Sequence, residues 1–153
     1  MNYTYNLCED GNYSDALQYF DAILQKDSTN IKIIIDKGVT FSHLGKFKEA
    51  IECYDKVLTL DSSNTDALVN KGAALHSMEK YDDAINCYDT ALVIDPKLVL
   101  ALTFKGLSLG EMNKLKEALW HFDKALQIDK QFELAINNKR IASELLKTSR
   151  NQV

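Results

Sequence analysis

Apolar residues return at helical spacing along most of the chain. Between residues 65 and 98, Leu68, Gly72 and Leu75 share one helical face. After a break, Tyr81, Ala84, Ile85, Tyr88, Ala91 and Leu92 form a second stripe. Such spacing places the apolar side chains along one face of an α-helix, so the pattern predicts two amphipathic helices. The break is a short polar turn, Met78-Glu79-Lys80, with counterparts at Leu44-Gly45-Lys46 and Met112-Asn113-Lys114. Asp95-Pro96 closes the second helix, because a proline just beyond a helix end cannot continue it. Leu58-Thr59-Leu60-Asp61 and Leu126-Gln127-Ile128-Asp129 end the equivalent helices without proline.

This two-helix unit repeats. Lys-Gly stands at 37–38, 71–72 and 105–106, a step of 34 residues each time. Cys53-Tyr54-Asp55 returns as Cys87-Tyr88-Asp89 at the same step. Residues 31–64 laid on 65–98 give ten identities, and 99–132 keeps Lys105, Gly106, Ala118, Asp123, Leu126 and Asp129. A fixed period in this range signals a stack of helix pairs, each burying its apolar face against the next.

A helix–turn–helix unit of this length resembles the tetratricopeptide repeat. Within each repeat, the large residue of position 4 is Ile34, Leu68 or Leu102, and the small residue of position 8 is Gly38, Gly72 or Gly106. Position 11 holds Phe41, Leu75 and Leu109. Position 20 holds Ala16, Ala50, Ala84 and Ala118, and position 24 holds Phe20, Tyr54, Tyr88 and Phe122. Ile23 and Val57 depart from the small residue of position 27, which Ala91 and Ala125 keep, and only Pro96 meets the proline of position 32. The resemblance implies an all-α fold, a right-handed α-α superhelix (solenoid) of antiparallel helix pairs with a C-terminal capping helix. A partial repeat over 1–30 precedes full repeats at 31–64, 65–98 and 99–132. The capping helix covers 133–148 and a tail 149–153. The first helix of the partial repeat is expected over about Tyr3–Cys8, short and frayed. In the cap, Ile136, Ile141 and Leu145 are expected to sustain the helix, while Arg140 stands where the pairing glycine would be.

Composition narrows the function. Apolar residues make up 46% and charged residues 26%, as in a folded soluble protein. The formal charge is −4, from 18 Lys+Arg against 22 Asp+Glu, which disfavours nucleic acid as a partner. No apolar run reaches the ~20 residues a membrane-spanning helix needs. The N-terminus lacks the basic start and apolar core of a signal peptide, so a cytoplasmic setting is expected. Cys8, Cys53 and Cys87 are odd in number and far apart, which suggests buried thiols rather than a disulfide framework or zinc site.

No glycine-rich phosphate loop, nucleophile elbow or metal-ligand spacing appears, so neither catalysis nor a cofactor is expected. His43 and His76 are expected on the inner face, exposed or lining a ligand site, and His121 is expected to pack. Lysine fills position 7 in each unit, as Lys37, Lys71, Lys105 and Lys139. Sixteen residues before each stands Asp21, Asp55, Asp89 or Asp123. These offsets predict an Asp–Lys ladder between each second helix and the following first helix; the alternative is a row of cations that binds an acidic partner.

In the family the first helix of each pair lines the concave side. The resemblance therefore implies a peptide-binding groove at Ile35, Asp36, Val39, His43, Asp66, Val69, Asn70, Ala73, His76, Thr103, Phe104, Leu107, Asn137 and Asn138. Lys32, Ser42, Ser77, Leu100, Gly110, Glu111, Leu134 and Ile141 share its register. Its mixed surface suits an amphipathic helix or an extended apolar peptide. A subclass of the family clamps the C-terminal carboxylate of chaperone tails with Lys, Asn and Arg at set positions. Here those positions hold Ile35, Val39, Asn70, Leu100 and Phe104, of which only Asn70 matches. The expected partner is a protein or peptide other than such a tail. The alternative is a structural module that self-associates through the exposed ends of the stack, or a regulatory fragment of a larger protein.

Overall fold

The computed structural model describes residues 13–150. The helix expected over Tyr3–Cys8, and Cys8 itself, lie outside the described residues. Eight helices and no strand occur among those described. They are α1 (Tyr13–Lys26), α2 (Ile31–His43), α3 (Phe47–Leu60), α4 (Thr65–Ser77), α5 (Tyr81–Ile94), α6 (Val99–Glu111), α7 (Leu115–Ile128) and α8 (Glu133–Arg150). Helices α2/α3, α4/α5 and α6/α7 form the three full pairs. Helix α1 is the second helix of the partial repeat. Helix α8 continues past 148, to Arg150.

Two kinds of turn set the pitch of the stack. Within a pair, the chain leaves the first helix through a left-handed residue: Gly45 at φ 71°, Glu79 at φ 61° or Asn113 at φ 59°. Lys46, Lys80 and Lys114 then donate their backbone N–H to Phe41, Leu75 and Leu109 carbonyls at 2.9 Å. This closes the carbonyl ends of the first helices in Schellman fashion. Between pairs, an aspartate does the work that proline does at only one junction. Asp27, Asp61, Asp95 and Asp129 accept from the backbone N–H two residues on, at 2.9–3.2 Å. Asn30 and Asn64 then cap the following helices through Ile33 N–H at 3.3 Å and Ala67 N–H at 2.9 Å. The junction with Pro96 thus uses the same aspartate turn as the other three, because an aspartate side chain can fold the turn by itself.

Inside each pair an aromatic ring lies on a glycine. A Cβ at Gly38 would stand 2.6 Å from Tyr54 Cε1, and one at Gly106 would stand 2.6 Å from Phe122 Cε1. Gly72 meets Tyr88 in the same way. Phe20, Tyr54, Tyr88 and Phe122 are at most 2% exposed, and Ala16, Ala50, Ala84 and Ala118 are fully buried beside them. Burying each ring contributes roughly 2 kcal/mol, and the missing Cβ is what makes room for it. Val57 is fully buried despite its size, so position 27 tolerates a branched residue here.

The ladder expected from the sequence is present at all four rungs. Lys37–Asp21, Lys71–Asp55, Lys105–Asp89 and Lys139–Asp123 stand at 2.5–2.6 Å. Each joins a second helix to the next first helix. The aspartates are about half exposed, so each rung contributes about 0–1 kcal/mol and serves register more than stability.

Helix α8 is seated by its small residues. Ala135 and Ala142 are buried against α7 and α6, with Leu146 beside Ala142. Ile136, Ile141 and Leu145 are 42%, 46% and 52% exposed instead. The packing follows the repeat register, in which small residues seat the helix on its neighbour; the large ones fall on other faces. Arg140 is exposed and pairs with Glu144 at 3.2 Å.

Candidate functional site

The stack has an inner side, and the helix contacts identify it. Besides its sequence neighbours, each first helix touches the next first helix: α2 with α4, α4 with α6, and α6 with α8. Second helices make no comparable contact with one another among the described residues. Helices crowded on one side and spread on the other make a curved stack, hollow on the crowded side. The inner surface is therefore built by α2, α4, α6 and α8, the helices on which the sequence placed the groove.

Most of the expected groove residues keep some exposure on these helices. Ile35, Asp36 and Val39 on α2 are half-buried, and His43 is exposed. On α4, Asp66 is exposed while Asn70, Ala73 and His76 are half-buried. Phe104 and Leu107 on α6 are half-buried, as is Asn138 on α8, and Asn137 is exposed. Two residues do not belong to an open groove. Thr103 is fully buried, with its hydroxyl donating to the Val99 carbonyl at 2.8 Å. Val69 is 6% exposed and packs in the core cluster with Tyr88 and Ala101. Both occupy position 5, where successive first helices close on each other. Phe104 is half engaged as well, its ring stacked on Tyr88 with centroids 6.1 Å apart. Asn138 spends its amide N–H on the Leu134 carbonyl at 2.7 Å.

Two hollows open along this surface. One, of about 350 Å³, lies between α2 and α4 and is lined by Val39, Ser42, His43, Asn70, Ala73 and Ser77, with Tyr54 beneath. The other, of about 250 Å³, lies between α6 and α8 and is lined by Leu107, Gly110, Glu111, Asn138, Ile141 and Leu145. Volumes this small, at or below the ~300–1,000 Å³ of small-molecule sites, suit single side chains of a larger ligand. Leu145 was not placed in the groove by the sequence reading. The signal was there: it holds position 13 of the register, the place of His43, Ser77 and Glu111.

The polar groups have specific surroundings. Burial raises the Asp36 carboxyl above the usual carboxylate range, and Lys32 one turn away offsets this in part. Burial lowers His76, against the opposing pull of Glu111. His76 Nδ1 stands 2.8 Å from the buried Ser108 hydroxyl, and its ring meets Tyr81 edge-on at 5.2 Å. His43 stacks on Tyr13 at 6.0 Å. The two inner histidines thus have separate partners. His121, on α7, is held down to about 4 by burial and by Lys105, so it is neutral at neutral pH. Burial raises the Cys53 and Cys87 thiols, which disfavours the reactive thiolate. Among the described residues, no group of three or more His, Cys, Asp or Glu side chains could hold a metal ion. No described helix is long and apolar enough to cross a membrane.

A family model described as the N-terminal TPR repeats region of Psidin matches residues 2–103. The chain belongs to the tetratricopeptide-repeat family. Solved structures of such repeats superpose on it. The crystal structure of MamA protein has a TM-score of 0.77 at 22% identity, covering 92% of this chain and 77% of that one. The first TPR of Spaghetti (RPAP3), bound to the HSP90 peptide SRMEEVD, has a TM-score of 0.73 at 26% identity, covering 79% and 96%. The second TPR domain of human RPAP3, in complex with the HSP70 peptide SGPTIEEVD, has a TM-score of 0.66 at 26% identity, covering 71% and 90%. No match was found among curated protein sequences.

Proposed function

We propose that this tetratricopeptide-repeat chain is a non-catalytic scaffold that holds a peptide or protein segment along its inner surface. The observation that carries the reading is the row of inner positions left open while every stacking position is filled. Leu100, Ile141 and Leu145 are 43%, 46% and 52% exposed on that side, and two side-chain-sized hollows interrupt it. Apolar side chains left exposed along a concave face give an amphipathic or extended peptide something to bury. Neighbours with this fold are seen with peptides bound, which supports the same mode of use. The setting proposed is cytoplasmic.

The test is capture of partners from native extract by the tagged chain, with mass spectrometry. Ile141→Glu with Leu145→Glu, and separately Ala73→Arg, change exposed or half-exposed inner positions. Circular dichroism should show the fold retained. Loss of the captured partner in either variant is expected; capture unchanged in both refutes the groove. Val69→Glu would be a poor probe, since it puts a charge into the core.

A second reading, self-association through the ends, has one observation behind it. Ile136 is 42% exposed on the side of α8 where a second helix would pair in the other repeats. Arg140 lies on the same side and opposes it. Light scattering over a concentration series separates the two, because growing mass favours self-association.

A further inference from the structure

Charge is distributed unevenly between the two sides of the first helices. On the side facing the preceding second helix, Lys37, Lys71, Lys105 and Lys139 are all neutralised by aspartates. On the inner side, Lys32 is outnumbered by Asp36, Asp66, Glu111 and Glu144. Of these acids only Glu144 has an ion-pair partner among the described residues, Arg140. Asp36 is half-buried, which leaves its carboxylate short of solvent, and Lys32 one turn away acts on it without closing an ion pair.

The apolar surface is uneven too. It gathers on α6 and α8, where Leu107, Ile141 and Leu145 line one hollow and Leu100 is exposed at the start of α6. Glu111 lines the same hollow. Glu111 also lies close enough to act electrostatically on His76 and Tyr81 of the preceding pair.

We infer that the occupant of this groove is a cationic amphipathic segment. It seats its apolar side chains at the α6–α8 end and directs lysine or arginine toward Glu111, Asp66 and Asp36. The inference rests on the groove reading above and specifies its ligand. Complementary charge steers the encounter and sets the register, while the apolar contacts supply most of the affinity. An acidic tail would meet like charge along the same path, a repulsion that acts against the wrong partner.

The experiment is fluorescence anisotropy of the full chain with three synthetic peptides about four helical turns long. One is a Leu/Lys amphipathic helix, the second its Leu/Glu counterpart, and the third a scramble of the Leu/Lys composition. The Leu/Lys peptide is expected to bind best, and raising the salt from about 0.05 to about 0.5 M should weaken it about tenfold. Glu111→Lys and Asp66→Lys, both exposed, should each weaken it about fivefold and flatten the salt dependence. Val93→Glu, at an 84% exposed site on α5, should change nothing. Equal or tighter binding of the Leu/Glu peptide overturns this inference and leaves the groove standing. Equal binding of the scramble also overturns it, by showing charge attraction without a seat. If neither amphipathic peptide binds while Ile141→Glu with Leu145→Glu still abolishes partner capture, the charge assignment alone falls. If capture is also insensitive, both readings fall.

Discussion

Two faces of the same helices behave differently. Where α2, α4 and α6 meet their partner helices, each presents a glycine to an aromatic ring and a lysine to an aspartate, with almost no variation. Where they face the hollow, the equivalent positions hold Val39, Ala73 and Leu107, or Ser42, His76 and Gly110. The first face is constrained by contact at van der Waals distance, so any change in size is felt by the next helix. The second meets solvent or a ligand, so it can vary without disturbing the stack. Repetition in this chain marks folding, and departure from repetition marks the inner face.

Glycines provide the largest test of that contrast. Gly72→Ala puts a methyl group into the ring of Tyr88 and should destabilise by about 1–3 kcal/mol, read as a lower urea midpoint. Gly110→Ala has open space around the new methyl and should stabilise by about 0.5–1 kcal/mol through helix propensity alone. If both changes have the same sign, the two faces do not differ as described.

A smaller effect is expected at the ladder. A double-mutant cycle on Lys105 and Asp89 should give a coupling of about 1 kcal/mol or less, shrinking with salt. A larger, salt-resistant coupling would mean that the rungs hold the stack together rather than align it.

The smallest effect concerns the turn aspartates. Hydrogen bonds from the Ser63 side chain and backbone, and from Asn64, hold Asp61 below the usual carboxylate range. A carboxyl lowered in the folded state contributes stability above its unfolded pKa of about 3.9, and the contribution is lost as pH falls through the folded value. Asp61→Ala should therefore show its deficit in urea midpoint at pH 7 and lose much of it at strongly acidic pH. An equal deficit at both would assign the loss to turn geometry instead of the charge.

Glu79 shows how far local sequence carries. Its left-handed conformation, unusual for a residue with a side chain, follows from sharing a register with Gly45. Nothing in the sequence around Glu79 announces it. The ladder, by contrast, was legible because a sixteen-residue offset between Asp and Lys repeats four times, and repetition fixes both partners in space. Thr103 and Val69 were misplaced for a physical reason. Their register puts them on the inner side, but whether that position stays open depends on how closely successive first helices approach, which no single repeat encodes. On α8 the register already put Ile141 on the inner side, but it did not show that Ala135 and Ala142 seat the helix and leave Ile136 and Leu145 exposed.

Side-chain size recurring at a fixed period determined the helices, their pairing, the glycine–aromatic seats and the charged rungs, because each is a local relation copied from one unit to the next. The depth of the hollow, the closing of position 5, the choice of exposed apolar residues on α8 and the gathering of unpaired acids inside were decided only in the tertiary structure. Those properties depend on the curvature of the whole stack, which accumulates from small rotations between pairs and is written in no one of them.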